Sequence, residues 1–349
     1  MNIQSVTHNE LTFLNVHDLG DLEVKHLKQE YNFDQAHIDD FINKQLIPKI
    51  EVSENYTVIV LDFPSIEEPK KDTQKDPVPP NGDKGEEPKK SSLLHVPTPT
   101  VTLPNFTLGQ LKKKRLRVGH VMFFIGKNYL VVLHDERTPI IDEIFAECQK
   151  TLKKREDMMS TGPQHLFYSI VDVLVDSSLI VTNEISSTID KIDRHLLEGS
   201  NAEKIVEDIS ITRRNIVVFQ TMIKPALSLF SDLENGKYET FNPAIAASWS
   251  NIRDHLQRIW YRLEDNRELI EGIAISHESL LTAKTNEIVK VLTMFTAILL
   301  PLTLVASIYG MNIVGLPHAK DPNSLLIVGL IMTILALSMI LVFKIRNWL

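Results

Sequence analysis

Asn286, Val289, Thr293, Thr296, Leu300, Thr303 and Ser307 recur at steps of three or four residues in the last quarter of this 349-residue chain. At about 100° per residue they fall within one helical arc of about 100°. Every Thr, Ser and Asn from Asn286 to Ser307 therefore shares one face, within a segment whose core, Val291 to Ile308, carries no charge. Neutral oxygens in such a setting serve one of two ends. They let membrane helices pack closely, with the hydroxyls bonded to backbone carbonyls, or they line a path for water and ions. Pro301 lies off this face, where it would kink the helix without entering such a path. Tyr309-Gly310-Met311-Asn312 follows at once.

The segments holding these residues are two uncharged apolar stretches, Val291 to Ile308 and Leu325 to Phe343, of 18 and 19 residues. Each is close to the roughly 20 residues needed to cross about 30 Å of hydrocarbon. Two spans in one chain cannot enclose a path, so a pore requires several copies around a shared axis. Lys284 and Lys290 precede the first span, and Lys344 and Arg346 follow the second. The loop between them offers only Lys320, offset by Asp321. By the positive-inside rule both ends face the cytosol, with Trp348 as an interfacial anchor. The N-terminus has neither a basic nor an apolar leader region, so the bulk of the chain is expected in the cytosol.

Upstream, Gln164 to Gly199 and Ala202 to Leu233 repeat apolar residues at helical spacing, predicting an antiparallel helical pair over 164–242. A third pattern begins near Pro243. It runs through Trp249, Ile252, Leu256, Ile259, Leu263, Leu269, Ile273, Leu280 and Ile288 with no proline before Pro301. That predicts one helix of over fifty residues, a stalk over 243–308 that continues into the first span. Residues 309–324 are then an outer loop and 344–349 a basic cytosolic tail.

The first 163 residues read as an α/β domain. Ile50-Glu51-Val52 with Tyr56 to Phe63 is strand-like. Val121 to Ile125 and Tyr129 to Leu133, joined by Gly126-Lys127-Asn128, predict a hairpin. Residues 64–114 hold nine of the seventeen prolines among Lys, Glu, Asp and Gly. They are expected to be a disordered insertion between strands, with a basic end at Lys112-Lys113-Lys114-Arg115.

The net charge of −8 argues against nucleic acid as a partner. The single cysteine, Cys148, excludes a disulfide framework within the chain, and no Cys/His cluster of structural-zinc type occurs. There is no Walker A pattern, nucleophile elbow, metalloprotease His pair or dinucleotide fingerprint, so neither an enzyme nor an organic cofactor is expected.

The stretch Lys284-Thr285-Asn286-Glu287, Lys290-Val291-Leu292-Thr293, Leu300-Pro301-Leu302-Thr303 and Ile308-Tyr309-Gly310-Met311-Asn312 resembles the CorA-type magnesium channels, whose Gly-Met-Asn signature stands just outside the first of two C-terminal spans. The resemblance implies a funnel-shaped homopentameric channel with an α+β cytosolic domain, long helices and two C-terminal transmembrane helices in the cell membrane. Mg2+ is the implied substrate, with Co2+ and Ni2+ also admitted. Gly310, Met311 and Asn312 would form the selectivity filter. Asn312 carbonyls would ring the hydrated ion, which Mg2+ favours because it gives up water reluctantly. Gly310 would permit a tight turn, Met311 would pack between subunits and Tyr309 would anchor the motif. Asn286 would meet the ion again at the cytosolic end. Val289, Leu292 and Leu300 would form apolar constrictions that close by dewetting, with Thr303 a polar station between them. Val289 and Leu300 share the polar face, whereas Leu292 lies off it.

The same resemblance implies sensing of internal Mg2+ by cytosolic Asp and Glu residues. The matching position on the long helix is Asn251, with Asp254 and His255 nearby. Asp172, Asp176, Glu203, Glu207 and Asp208 read as a solvated acidic face. The outer loop departs from the family's Met-Pro-Glu-Leu and reads Ile313-Val314-Gly315-Leu316-Pro317-His318-Ala319-Lys320-Asp321, with Asp321 its one acid. Two other readings compete. A zinc transporter of the related branch would carry Gly-Ile-Asn, against which Met311 argues. A membrane-anchored helical scaffold or sensor would explain the long helices but not the polar face.

Overall fold

The computed structural model describes residues 2–17, 19–43, 46–66, 115–198, 202–311, 317, 322–346 and 348. Chain contacts divide it into two units, Met1–Glu271 and Gly272–Leu349.

The first unit is built on a six-stranded sheet. Its strands are β1 (Ile3–His8), β2 (Leu11–His17), β3 (Lys49–Val52), β4 (Thr57–Ile66), β5 (Leu116–Ile125) and β6 (Tyr129–His134), in the order β1-β2-β6-β5-β4-β3. Among the described residues only the β2–β6 pair is parallel. Helices α1 (Asp21–Tyr31) and α2 (Gln35–Ile42) carry Leu27, Ile38 and Phe41 into a core shared with Leu14, Val58, Val60, Met122, Phe124 and Val131. The opposite face receives α3 (Ile140–Lys150), where Phe145 meets Phe13 with ring centroids 5.2 Å apart. It also receives α5 (Pro163–Leu197), where Phe167 meets Phe123 at 4.9 Å. Helix α4 (Leu152–Met159) links the two. Strands buried on both faces read as continuous apolar runs, as Val121 to Ile125 does. The neighbours Phe123 and Phe124 point to opposite layers because a strand alternates every residue.

The hairpin between β5 and β6 closes with Gly126 N–H on the Tyr129 carbonyl at 2.9 Å. A Cβ at Gly126 would lie 2.2 Å from the Tyr129 ring, so this turn needs glycine for close approach.

The insertion expected over 64–114 begins later than the sequence suggests. Pro64, Ser65 and Ile66 continue β4 and pair with Val118, Arg117 and Leu116. Strand β3 matches β4 only from Thr57 to Val60. Among the described residues the other edge of β4 is therefore open at Pro64, the kind of position where a strand tolerates proline. The rest of the stretch expected to be disordered, including Lys112-Lys113-Lys114, lies outside the described residues.

Helix α6 (Ala202–Glu234) runs beside α5 and ends at Gly236, whose φ of 71° lets its N–H reach Leu233 while Lys237 N–H reaches Asp232. That is the left-handed glycine stop of a helix. After a 3-10 turn at Pro243–Ile245, helix α7 runs from Ala246 to Gly310 over 65 residues, about 98 Å at 1.5 Å per residue. Its first turns bury Trp249, 1% exposed, among Phe167, Tyr168, Phe230 and Phe241. Ile252, Leu256, Ile259, Leu263 and Ile270 continue that buried face. Leu269, expected in the same stripe, is exposed instead, and Asn266 occupies the face, exchanging hydrogen bonds with Ser186 of α5 at 2.9 and 3.1 Å. The helical pair and the start of the stalk thus belong to one unit with the sheet.

The second unit holds the remainder of α7 and helix α8 (Ser324–Ile345). Among the described residues four helices are long and apolar enough to cross a membrane. In α5 and α6 the apolar window is 44% buried, whereas in the α7 and α8 windows 0% is buried. The first two therefore spend their apolar residues on a protein core, whereas the last two bury none of theirs fully.

Candidate ion pathway

Between Lys290 and Tyr309, the residues of α7 that are partly buried are Lys290, Met294, Ala297, Ile298, Pro301, Leu302, Val305 and Tyr309. At about 100° per residue they occupy one side of the helix. In α8 a matching row, from Ser324 through Ile327, Met332 and Leu335 to Phe343, is also partly buried. The polar face with Asn286, Val289, Thr293, Thr296, Leu300, Thr303 and Ser307 lies on the other side of α7, and all seven are exposed. Within one chain, then, the small hydroxyl residues do not serve packing against the second apolar helix.

The hydroxyls are nevertheless satisfied. Thr293 donates to the Val289 carbonyl at 2.7 Å, Thr296 to Leu292 at 2.9 Å and Thr303 to Leu299 at 2.8 Å. A hydroxyl has one hydrogen and two lone pairs. With the hydrogen held by its own helix, each threonine turns acceptor oxygen outward. A row of acceptors with spent donors suits a cation and its water shell. Val289, Leu292 and Leu300 are 53%, 65% and 65% exposed, so the apolar positions assigned to constrictions also lack an intrachain partner.

Gly310 is the last residue of α7. Its φ is not in the left-handed region, and an added Cβ would meet nothing within 4 Å in this chain. The helix ends with Met311 N–H on the Ile308 carbonyl at 3.2 Å, a three-residue closure that includes Gly310. Met311 is exposed and Tyr309 half-buried. Asn312 and the loop positions Ile313 to Leu316 and His318 to Asp321 lie outside the described residues.

In the first unit, Asn251 faces α5. Its Nδ2 lies 3.4 Å from Asp172 Oδ1 and 3.5 Å from Tyr168 Oη. One turn on, His255 Nδ1 stands 3.4 Å from Asp176 Oδ1. Burial, followed by the neighbouring Asp176 charge, holds the Asp172 carboxyl above its ordinary range, while His255 works the other way. Asp172 and Asp176, read from sequence as part of a solvated face, are therefore brought together with Asn251. The signal was available: Asp172/Asp176 and Asn251/His255 are both four apart, so each pair shares a helix face. Asp254 does not join them. Its carboxylate pairs with Arg253 at 2.9 Å, and Arg253 also binds Glu234 at 2.7 Å.

The profile of the family described as CorA-like Mg2+ transporter protein matches residues 99–346, a range that takes in β5, β6 and every helix from α3 to α8. The chain belongs to that family. A cobalt/magnesium transport protein CorA of Thermotoga maritima is 26% identical over 235 residues, covering 67% of this chain and 66% of its own length, just under two thirds. A putative metal ion transporter, YfjQ, of Bacillus subtilis is 27% identical over 249 residues, covering 70% of this chain and 75% of its own. The solved CorA magnesium transporter of Methanocaldococcus jannaschii superposes with a TM-score of 0.76 at 17% identity, over 99% of this chain and 94% of that one. The fold is accordingly that of the CorA-like proteins: a sheet-based α/β domain, long helices and apolar C-terminal helices. The CorA-like family is one of membrane transporters for divalent cations, and not an enzyme family.

Proposed function

We propose that the chain forms a passive, homopentameric Mg2+ channel in the cytoplasmic membrane, with both ends in the cytosol and α7 of each copy lining a central pore. The carrying observation is the exposed row of threonine oxygens in α7, opposite its half-buried side and leading to Gly310-Met311-Asn312. Several copies with this row turned inward would make a water-filled path, with Val289, Leu292 and Leu300 as apolar gates and Asn286 at its cytosolic end. Asn312 would meet the hydrated ion outside. The inside-negative potential supplies about 2.3 kcal/mol per charge per 100 mV, roughly 4.6 for a divalent ion, so no nucleotide is required. The cobalt/magnesium name of the Thermotoga relative supports admission of Co2+, and Ni2+ belongs to the same reading. Intracellular Mg2+ would act at Asp172, Asp176 and Asn251, closing the pore when bound.

The test is Mg2+ entry into liposomes holding the purified protein and a trapped dye, under an inside-negative potential, for wild type and Asn312→Ala. Entry that the substitution abolishes or strips of selectivity is expected. No entry through a correctly assembled oligomer would overturn the channel in favour of the scaffold reading.

A further inference from the structure

Strands β2 and β6 are parallel neighbours with His17 opposite His134 in register. Alternation along β2 places Phe13, Asn15 and His17 on one face, the face that α3 covers through Phe145. Asp142, in the first turn of α3, reaches both histidines: Oδ2 is 3.4 Å from His17 Nδ1 and Oδ1 is 3.3 Å from His134 Nε2. The ligating atoms of the three residues all lie within 4.8 Å of one another.

His134 is fully buried, and both its ring nitrogens face oxygen. Nδ1 is 3.2 Å from the Asp135 carbonyl and, in the tautomer with its proton there, donates to it. Thr138 Oγ1, 3.4 Å from the same nitrogen, can donate to that carbonyl at 3.3 Å. Nε2 then turns a lone pair towards Asp142 Oδ1 and towards Asn15 Oδ1 at 2.9 Å, which are themselves acceptors. In this tautomer the lone pair and these oxygens converge on a position that a cation can take; in the other, Nε2–H donates to Asn15 Oδ1 and the Thr138 hydroxyl donates to Nδ1. A ring N–H held on a carbonyl, with the other nitrogen left to ligate, is the arrangement metal-binding histidines adopt.

We propose that His17, His134 and Asp142 form a site for a borderline divalent transition ion, with Zn2+ as its type, on the α3-covered face of the sheet. Bonds of about 2.0–2.1 Å in a tetrahedron put neighbouring ligand atoms about 3.3–3.4 Å apart. The two His–Asp separations, 3.4 and 3.3 Å, run to different carboxylate oxygens, Oδ2 and Oδ1, so an ion would draw in ligating atoms that now lie within 4.8 Å of one another. Asn15 Nδ2 donates to Asp142 Oδ1 at 2.7 Å and orients the carboxylate. The side chains of His17 and Asp142 are 35% and 43% exposed, leaving an entry and a fourth position for water. Two imidazoles and one carboxylate suit Zn2+, Co2+ or Ni2+ and not Mg2+, which takes oxygen. The site lies in the first unit, and its reading is independent of the Mg2+ path.

The test uses the untagged full chain in detergent with Mg2+ in excess and Co2+ as a coloured stand-in for Zn2+. One Co2+ per chain is expected, with the intense visible band of a four-coordinate ion that Zn2+ displaces and Mg2+ does not. His17→Gln, at a half-exposed position, should weaken binding by roughly tenfold or more without changing the melting temperature in chelator. Zn2+ should raise that temperature in wild type only. A band absent in wild type, or equally strong in His17→Gln, or equal stabilisation of both proteins by Zn2+, would overturn the site and leave a histidine–carboxylate ion pair.

Discussion

Asn251 of α7 donates through its amide to Asp172 of α5 at 3.4 Å, on a seam that also carries the apolar contact of Trp249 with Phe167. An amide there leaves the Asp172–Asp176 pair without a third acid. Replacing it by Asn251→Asp places a third carboxylate beside two others, which repel one another until a divalent ion bridges them. The variant should melt at a lower temperature in chelator and regain more than wild type does on adding Mg2+. Equal Mg2+ responses in the two proteins would remove these residues from the regulatory reading.

The raised affinity of Asp172 for its proton has a definite sign. The folded chain holds that proton more tightly than the unfolded chain does, so this group favours folding at low pH. The contribution is lost as pH rises through the folded value, which lies above the ordinary 3.8. Asp172→Asn keeps an acceptor for Asn251 and removes the charge. It should raise the melting temperature at neutral pH and lose that advantage in acid. Tyr168, Asp176 and His255 share the site, so the comparison belongs in a series that leaves them intact.

Cys148 is fully buried, and burial pushes its thiol up, so the wild-type chain offers a silent background to charged thiol reagents. Thr303→Cys lies on the polar face of α7, and Phe295→Cys is as exposed in one chain but lies well off that face. In membranes the first should react with a water-soluble reagent and block ion entry, while the second should stay unlabelled. Equal labelling of both would sink the assignment of that face to an aqueous path.

Leu300 shares the polar face, and Leu292 lies beside it. Leu300→Asn should hydrate the constriction and raise Mg2+ flux under closing concentrations of Mg2+ by about tenfold, equivalent to about 1.4 kcal/mol of barrier. Leu292→Asn should raise it less. The liposome assay with Mg2+ on both sides measures the difference.

Phe124 stacks on Phe33 with centroids 4.1 Å apart in the layer under α1 and α2. Phe124→Ala should cost the first unit about 3–5 kcal/mol. A melting transition shifted by only a degree or two would contradict that packing.

The helical period showed the long helices well, because α5, α6 and α7 each bury one stripe and two of the three are closed by identifiable glycine or loop signals. Leu269 shows its limit. Next to Ile270, it fits the same pattern, and only the packed helix decides which leucine or isoleucine turns inward. The α/β layer was half legible. β4 to β6 announce themselves as continuous β-branched and aromatic runs, but β1 and β2, with α1 and α2, carry mixed sequences such as Ile3-Gln4-Ser5-Val6-Thr7-His8 whose pairing depends on distant strands. The His17, His134 and Asp142 cluster was illegible for the same reason. His17 lies more than a hundred residues before His134 and Asp142, and it meets them only because β2 pairs with β6. The polar face of α7 was legible as a pattern, yet the sequence could not say which side α8 would cover.

The direct pairing of Ile66 with Leu116 brings the two ends of a long excursion to within one strand spacing. Closing such a loop grows more costly only with the logarithm of its length, about 0.6 kcal/mol per doubling. The chain between these two residues can therefore be shortened to a turn or replaced by a folded reporter domain at small expense to the sheet. This gives the chain an attachment point at the end of its β4–β5 ladder, through which cargo or a tag can be added without changing the sequence of α7 or α8.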